Sequence, residues 1–454
     1  MLQSINPANG NNISSYAEMS PENVEKAASL ADRAFLEWRR SEMAARAALM
    51  RRAASLLESG KSCYADLMAA EMGKPLAQGR SEIEKCAWAC EYFAEHADRF
   101  LAPEPVLTDA KKSFIVFAPL GVVLAVMPWN FPFWQVFRFA APALMAGNAC
   151  LLKHASNVSG CALAIEDLIR EAGFPQNLFT VLLLRADAVT SVLERPEVRA
   201  VTLTGSAAAG RAIASTAGRL LKKSVLELGG SDPYVVLEDA DLAQAVEASV
   251  ASRLINSGQS CIAAKRFIVV ERVRHAFTEL FVERMRSKRV GSPTESGVDV
   301  GPLARHDLRD QLHAQVTDSV RRGAKLLLGG DIPPGPGAFY PPTVLADVGP
   351  GMPAYDQETF GPVAAIIGAR DEADAIRIAN DTTYGLGAAL FTRDAARGER
   401  LAVEALDAGS CFVNAQVRSD PRLPFGGIKE SGYGRELGSF GIREFVNVKT
   451  VYVK

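Results

Sequence analysis

The sequence predicts an α/β protein in which helices pack on both faces of largely parallel sheets. Leu120–Met127 is a short, continuous apolar run, which is typical of a strand buried on both faces of such a sheet. Similar runs recur at Ala149–Lys153, Leu178–Leu184 and Ala200–Thr204, and helix-length segments separate them. Because strands that alternate with helices form βαβ units, these runs indicate a parallel sheet.

A helical region precedes this sheet, and a second α/β series follows it. Ser20 is a favourable N-cap with Pro21 at the first helical position, so we expect helices between residues 20 and 102. Alternation restarts at Tyr234, after a Gly229-Gly230 pair that suits a hinge or a close approach of the backbone. We therefore expect one domain over residues 1–227 and a second over residues 228–437.

Composition and charge exclude several classes of protein. The chain has 454 residues, 48% hydrophobic, and its 50 basic and 52 acidic residues give a net charge of −2. Disorder and nucleic-acid binding are therefore not expected. The N-terminus lacks a basic segment followed by an apolar run, and prolines and Arg138 interrupt the apolar stretch 114–152, so we expect a cytoplasmic protein without a membrane segment.

Seven cysteines, scattered and odd in number, argue against a disulfide scaffold and for a reducing compartment. Cys261 is the candidate nucleophile, because it ends a glycine-containing turn that starts at Asn256 and could expose the thiol in a cleft. The alternative is a buried cysteine that only packs. We expect only a packing role for the others: Cys63, Cys86, Cys90, Cys150, Cys161 and Cys411.

Two other residues are candidates for catalysis. Glu227 ends an apolar strand beside the glycine pair and could act as a movable general base, although a surface carboxylate is the alternative. Asn130 lies between Pro128 and Pro132, so its amide could be held rigidly and donate to an oxyanion. The alternative for Asn130 is a packed loop in which its side chain is already hydrogen-bonded.

A third feature suits a dinucleotide. Thr204, Gly205 and Ser206 lead from a buried strand into a helix, whose N-terminus could hold a pyrophosphate. The segment is not the G-x-G-x-x-G fingerprint, so by itself it is a weak signal. Lys153 ends another strand, where a ribose or phosphate contact would lie. No metal site is expected.

Taken together and in order, these motifs resemble the aldehyde dehydrogenase superfamily, and the resemblance covers essentially the whole chain. Met127–Asn148, Leu226–Pro233, Gly258–Phe267 and Ser419–Gly427 are most similar to the bacterial succinate-semialdehyde dehydrogenases. In chain order the motifs are Pro128-Trp129-Asn130, Lys153, Thr204-Gly205-Ser206, Glu227-Leu228-Gly229-Gly230, Gly258-Gln259-Ser260-Cys261, Glu358-Thr359-Phe360-Gly361-Pro362 and Pro424-Phe425-Gly426-Gly427.

The resemblance implies a Rossmann-type cofactor domain at 1–227, an α/β catalytic domain at 228–437 and a β-strand oligomerisation arm. Arm strands are expected near 105–118 and within 438–454, because Ser113–Phe117 is β-prone and Glu444–Lys454 alternates polar and apolar residues. The terminal strand could pair with the early strand or with a partner subunit. A homodimer or homotetramer follows from this arm.

The resemblance also implies NAD(P)-dependent oxidation of a small-molecule aldehyde, with succinic semialdehyde the favoured substrate. Cys261 would attack the aldehyde, Asn130 would stabilise the oxyanion of the thiohemiacetal, and Glu227 would activate the water that hydrolyses the thioester. The alternatives are another semialdehyde or aliphatic aldehyde, a cofactor-independent thioesterase or esterase, and a non-catalytic binding protein. Expected cofactor contacts are Trp129, Lys153, Ser156, Gly205, Ser206, Glu358 and Phe360.

Two positions bear on specificity. Many relatives that prefer NAD carry a glutamate three residues after the lysine, where this chain has Ser156, so we expect NADP to be preferred and NAD also used. His154 is a further candidate contact there. For the substrate, the resemblance places a carboxylate-binding arginine at Arg138, with Trp134 lining the tunnel and Ser419 as a second contact. The alternative for Arg138 is a structural salt bridge.

Overall fold

The computed structural model describes residues 1–454 and has the predicted α/β architecture. The helices are α1 (Pro21–Trp38), α2 (Met43–Met72), α3 (Leu76–Phe100), α4 (Trp134–Met145), α5 (Ser159–Glu171), α6 (Val189–Glu194), α7 (Ala207–Arg219), α8 (Leu242–Leu254), α9 (Glu271–Arg286), α10 (His306–Arg321), α11 (Pro353–Asp356), α12 (Glu372–Asn380), α13 (Ala395–Glu404) and α14 (Gly438–Arg443). The strands are β1 (Leu2–Ile5), β2 (Asn12–Tyr16), β3 (Glu104–Pro105), β4 (Lys112–Pro119), β5 (Val122–Met127), β6 (Ala149–His154), β7 (Phe179–Val181), β8 (Val198–Thr204), β9 (Lys223–Glu227), β10 (Pro233–Val236), β11 (Arg266–Val270), β12 (Lys325–Leu328), β13 (Thr343–Ala346), β14 (Val363–Ala369), β15 (Gly387–Phe391), β16 (Ser410–Val413), β17 (Gly432–Tyr433) and β18 (Val446–Val453).

The N-terminal helical region is three helices. Ser20 caps α1, since its hydroxyl accepts from the Asn23 N–H at 3.3 Å. Gly73 ends α2 at φ 78°, a left-handed conformation that glycine adopts without strain. No helix of the structure is both long enough and apolar enough to cross a bilayer.

Two sheets correspond to the two predicted α/β series. The first has the order β17-β9-β8-β5-β6-β7 and is parallel except for β17, and the second has the order β12-β13-β14-β11-β10-β15-β16 and is parallel except for β12. The chain passes between them from Glu227, the last residue of β9, to Pro233, the first of β10. The short strand β17 returns from the range expected for the second domain and pairs with β9. The ends of both sheets therefore meet near Glu227.

A third sheet, β18-β4-β3, is antiparallel and stands apart from the other two. Its strands β18 and β4 pair continuously from Val446 opposite Pro119 to Val453 opposite Lys112. This confirms that the terminal strand pairs with the early β-prone segment.

One expectation about the cysteines is wrong. Cys63 is exposed on α2, whereas Cys86, Cys90, Cys150 and Cys161 are buried as expected. Cys63 follows a polar, glycine-containing stretch of α2 that faces solvent, so a helical context alone does not imply packing.

Candidate active site

The loop after α8 holds Cys261 in an unusual backbone conformation. Three consecutive residues, Asn256, Ser257 and Gly258, have φ values of 53°, 57° and 78°. Left-handed backbone angles are costly for residues other than glycine, so contacts with the surrounding structure must hold Asn256 and Ser257 in them. A Cβ on Gly258 would lie 2.2 Å from the carbonyl carbon of Gly361, so only glycine fits there. The loop leaves Cys261 half-buried.

Side chains fix this loop from both ends. The Asn256 amide nitrogen donates to the carbonyls of Asn130 at 2.6 Å and Gln259 at 3.2 Å. The Asn256 backbone N–H donates to Oε1 of Gln78 at 2.6 Å, and Gln259 Oε1 accepts from the Ala304 N–H at 2.9 Å. These buried bonds offset the cost of the left-handed residues. Asn256 begins the cysteine motif in the sequence, but no pattern there indicates this role.

Asn130 is brought to the cysteine loop. Its amide nitrogen donates to the carbonyl of Gln259 at 3.1 Å, two residues before Cys261. The Gln135 amide donates to its Oδ1 at 3.4 Å. One amide hydrogen of Asn130 thus orients the group, and the second has no protein acceptor, as the expected role in binding an oxyanion requires.

The resting thiol of Cys261 is protonated. Burial raises its pKa to about 12, while the positive charges of Arg138 and Lys265 act in the opposite direction. The Lys265 ammonium donates to the carbonyls of Ser260 at 3.0 Å and Cys261 at 2.8 Å, so it also holds the backbone around the nucleophile. Since the thiolate is the nucleophile, attack requires that the proton be removed or the surroundings change.

Glu227 is a buried carboxyl group without a hydrogen-bond partner. Its side chain is 2% exposed, and neither carboxyl oxygen accepts or shares a hydrogen. Burial and the neighbouring Glu436 raise the pKa of Glu227 well above its usual value. A Cβ on Gly426 would lie 2.7 Å from Oε1, so this glycine makes room for the carboxyl group. An unpartnered carboxyl next to glycines can move, and once ionised its raised pKa makes it a stronger proton acceptor, as a general base needs to be.

Arg138 lies in a buried ion pair. It is buried, forms an ion pair with Glu436, and donates to the Thr204 hydroxyl at 3.2 Å. Its guanidinium also lies 4.8 Å from the centroid of the Phe425 ring. The structure therefore shows the salt bridge that was the alternative for Arg138, and its contact with a substrate carboxylate stays a prediction. No pattern in the sequence indicates this pair, which joins residues 298 positions apart.

The residues expected to contact a pyrophosphate and a nicotinamide lie near the ends of the two large sheets. Ser206 is the exposed N-cap of α7 and follows Gly205 directly. Glu358 accepts from the Gly230 N–H at 3.1 Å and lies 3.5 Å from the Lys265 ammonium. The Phe360 and Trp129 rings meet edge to face, with centroids 5.8 Å apart.

The residues expected to contact the adenosine ribose lie at the end of β6. Lys153 is the last residue but one of that strand, and Ser156, three positions later, lines a cavity of about 570 Å³ together with Arg185 and Arg305. His154 does not face this space. It is buried between the carbonyls of Pro132 and Met127, at 2.8 and 3.2 Å, and burial lowers its pKa to about 4. His154 is therefore neutral and structural, which corrects its expected role as a phosphate contact.

Trp134 and Ser419 are brought together by a residue that the sequence analysis did not single out. The ammonium of Lys85, on α3, donates to the Ser419 hydroxyl at 2.6 Å and lies 4.3 Å from the centroid of the Trp134 ring. Trp134 and Ser419 each line a cavity that opens to solvent. No spacing signal in α3 distinguishes Lys85 from a surface lysine.

A buried ion pair positions the start of α4. Oε1 of Glu82 accepts from the Phe133 N–H at 2.9 Å and from the Trp134 N–H at 3.0 Å. The other oxygen pairs with Lys74. Carboxylates are favourable at helix N-termini, so Glu82 fixes the turn that carries Asn130.

No group of three or more His, Cys, Asp or Glu side chains is arranged to hold a metal ion.

This geometry agrees with a match to the model of the aldehyde dehydrogenase family, which spans residues 1–451. The chain belongs to the aldehyde dehydrogenase family. Among its relatives is a succinate-semialdehyde dehydrogenase [NADP(+)] of Mycolicibacterium paratuberculosis, 48% identical over 456 residues, covering 100% of this chain and 96% of the relative. A succinate semialdehyde dehydrogenase [NAD(P)+] of Escherichia coli is 46% identical over 449 residues, covering 99% and 97%.

Solved structures of aldehyde dehydrogenases share the whole fold. The structure of succinic semialdehyde dehydrogenase from Streptococcus pyogenes with NADP+ superposes with a TM-score of 0.97 at 36% identity, covering 100% of both chains. A succinate-semialdehyde dehydrogenase from Burkholderia pseudomallei gives a TM-score of 0.96 at 36% identity, covering 99% of this chain and 94% of that one. The predicted family and fold are confirmed.

Proposed function

We propose that this aldehyde dehydrogenase oxidises succinic semialdehyde to succinate, with NADP preferred and NAD accepted. The observation that carries the chemistry is the Asn130 amide bonded to the Cys261 loop, with the unpartnered Glu227 carboxyl three residues before Gly230, where a Cβ would lie 2.7 Å from the Cys261 carbonyl oxygen. The full-length relatives with this named activity support the substrate and the cofactor.

The residues present fit a dinucleotide. The N-terminus of α7 is open at Ser206, and its backbone N–H groups suit a pyrophosphate. A Cβ on Gly229 would lie 2.5 Å from Oε2 of Glu358, so that glycine keeps space for the carboxylate expected to bind the nicotinamide ribose. Ser156, Lys153 and Arg185 would hold the adenosine ribose and its 2′-phosphate. When bound, the nicotinamide supplies the hydride acceptor.

The chain's own residues would carry the remaining steps. The Cys261 thiol gives up its proton to solvent as its sulfur bonds to the aldehyde carbon, and the electron pair of the C=O moves to oxygen, where the Asn130 amide donates to it. When the carbonyl re-forms, the aldehyde hydrogen leaves as hydride and a thioester to Cys261 remains. Glu227 then takes a proton from water, the hydroxide adds to the thioester carbon, and the thiolate of Cys261 leaves.

Steady-state kinetics test this proposal. Succinic semialdehyde, glutaric semialdehyde, butanal and pentanal are each measured with NADP and with NAD, and Cys261→Ala serves as the control without a nucleophile. We expect the highest kcat/KM with succinic semialdehyde and NADP. A higher value for another aldehyde would refute the proposed substrate, and hydrolysis of a simple ester without any reduction of cofactor would refute the oxidoreductase.

We also infer a homodimer built through the arm sheet. Val448 and Tyr452 lie on one face of the edge strand β18 and are 61% and 51% exposed. Because an apolar edge strand is rarely left uncovered, a partner subunit is its expected cover. Light scattering should report a mass of two or four chains, and Val448→Asp combined with Tyr452→Asp should release monomers. Lys449→Asp, on the other face of β18, is the matched control, and a monomeric wild type would refute the inference.

A further inference from the structure

The ammonium of Lys265 holds three carbonyl oxygens of the loop that carries the nucleophile. Lys265 is 1% exposed, and it donates to the carbonyls of Ser260 at 3.0 Å, Cys261 at 2.8 Å and Ala263 at 3.1 Å. An ammonium has three hydrogens, so these bonds use all of them. A side chain four residues after Cys261 therefore fixes the backbone on both sides of the reacting cysteine.

The N–H groups of the same loop have no acceptor in the protein. Those of Ser260, Cys261 and Ile262 make no hydrogen bond, whereas the Ala263 N–H donates to the Ser260 carbonyl at 3.2 Å. In a trans peptide the C=O and the N–H point in opposite directions, so each carbonyl that Lys265 holds turns the following N–H away from the ammonium. Buried N–H groups are seldom left unpaired, and free ones beside a nucleophile suit an anion.

The surroundings of Lys265 keep this arrangement in place. A Cβ on Gly230 would lie 2.7 Å from the Cys261 carbonyl oxygen, so only glycine leaves room for that carbonyl. The Gly230 N–H donates to Glu358, whose carboxylate lies 3.5 Å from the Lys265 ammonium. Burial lowers the pKa of Lys265, and the negative charges of Glu358 and Asp232 oppose that effect. An ion pair and three carbonyls thus stabilise the ammonium together.

We propose that Lys265 is a positioning residue, which holds the Ser260 carbonyl so that the Cys261 N–H is directed at the oxyanion formed on attack by the sulfur. Asn130 acts in the same way one peptide earlier, where its amide holds the Gln259 carbonyl at 3.1 Å. The oxyanion would then receive two donors, the Cys261 N–H and the free amide hydrogen of Asn130. This role rests on the cysteine chemistry of the proposed function, but it does not depend on which aldehyde is the substrate.

The test compares two reactions of Cys261, of which only one forms an oxyanion. With 4-nitrophenyl acetate, the sulfur bonds to the ester carbon, the C=O electron pair moves to oxygen, and 4-nitrophenolate leaves as the C=O re-forms. With iodoacetamide, the sulfur displaces iodide and no oxyanion forms. The thiol proton goes to solvent in both reactions, and neither needs a cofactor. Because both depend on the thiolate, the ratio of acylation to alkylation rates cancels the effect of the Lys265 charge on the pKa of Cys261.

Three variants are compared with the wild type. Lys265→Met keeps most of the length but removes the charge and every donated hydrogen, and Lys265→Gln keeps an amide that can hold a carbonyl. Lys222→Met is the matched control, because Lys222 also donates to two carbonyls, those of Leu193 and Arg195. It precedes β9, whereas Glu227 ends that strand, so Lys222 lies at the other end of the sheet. Thermal unfolding checks that each variant is folded, and peptide mass spectrometry measures the alkylation of Cys261.

The ratio of acylation to alkylation should fall about tenfold or more in Lys265→Met, since one oxyanion donor is worth about 10²–10³-fold in rate. Lys265→Gln should lie between Lys265→Met and the wild type, and it carries the test if the methionine variant does not fold. Lys222→Met should keep the wild-type ratio. An unchanged ratio in a folded Lys265 variant would overturn the role of Lys265, and so would an equal fall in Lys222→Met.

The proposed function fails in a different way. A wild-type protein that is acylated by the ester but reduces no cofactor with any aldehyde would overturn the dehydrogenase, while the ratio would still decide the role of Lys265. A wild-type Cys261 that is alkylated but never acylated would overturn the oxyanion site and, with it, the role of Lys265.

Discussion

Arg138 and Glu436 form an ion pair with almost no solvent contact, 2% and 4% exposed at their side chains. The same two residues act on Glu227, whose pKa is raised by burial and by Glu436 and lowered by Arg138. The arginine therefore offsets two carboxyl groups at once, one of them the candidate general base. Its substitution should affect the charge balance of the whole site, whatever the aldehyde.

Arg138→Met should reduce kcat/KM for succinic semialdehyde and for butanal by similar factors. It should also destabilise the fold by about 3–5 kcal/mol, because Glu436 is left buried and unpaired. Steady-state kinetics with both aldehydes and chemical denaturation check these outcomes. The double variant Arg138→Met with Glu436→Leu, which removes both charges, should regain much of the stability. A loss confined to the semialdehyde would show that Arg138 contacts the substrate after all.

Glu227→Gln should separate the two halves of the reaction. The amide has nearly the same shape but cannot take a proton from water, so thioester hydrolysis should slow by about 10²–10⁴-fold. Rapid mixing should show one equivalent of reduced cofactor per active site, followed by very slow turnover. Cys261→Ala is the control and should give no burst. Steady turnover near the wild-type rate would contradict a role for Glu227 as the base.

In the free enzyme, the rate at which iodoacetamide alkylates Cys261 should increase steeply with pH. Because burial raises its pKa to about 12, the thiol is protonated at neutral pH, and the thiolate fraction rises about tenfold per pH unit below that value. Labelling between pH 7 and 10 is followed by peptide mass spectrometry, which separates Cys261 from the exposed Cys63. A rate at Cys261 that levels off by pH 7 would mean that the resting thiol is already ionised.

Ser156→Glu should reverse the cofactor preference. A carboxylate at this position would repel a 2′-phosphate and accept from a 2′-hydroxyl, so the NADP-to-NAD ratio of kcat/KM should fall about tenfold or more. Ser156→Ala is the neutral control and should lower the ratio less. If the ratio of Ser156→Glu does not fall, the cavity that Ser156 lines with Arg185 is not where the phosphate binds.

The sequence was sufficient for features encoded within one segment. Leu120–Met127 and Ala149–Lys153 are β5 and β6 within two residues, because a strand buried on both faces must be apolar throughout. These features depend on local pattern, which a single sequence displays. The contact between the turn containing Asn130 and the loop containing Cys261 joins segments 129 positions apart, and it was expected only because the motifs resemble those of aldehyde dehydrogenases.

Pairings across long separations could not be read in the same way. Glu436 neutralises Arg138, and Lys85 reaches Ser419, through folding that brings distant segments together. Nothing in the composition around Lys85 distinguishes it from a solvated lysine. His154 shows the same limit, because its neutral state comes from burial beneath a neighbouring turn, where its Nε2 lies 2.8 Å from the carbonyl oxygen of Pro132.

Met1 and Lys454 lie beside the expected cofactor cavity and the arm strand, where an added purification tag would interfere. Met1 lines the same cavity as Ser156, and β18 ends one residue before Lys454. A purification tag fused ahead of Met1 would sit at the mouth of the expected cofactor-phosphate cavity, and one fused after Lys454 would extend the arm strand. Kinetic constants and oligomer masses are therefore best measured on protein from which any tag has been cleaved.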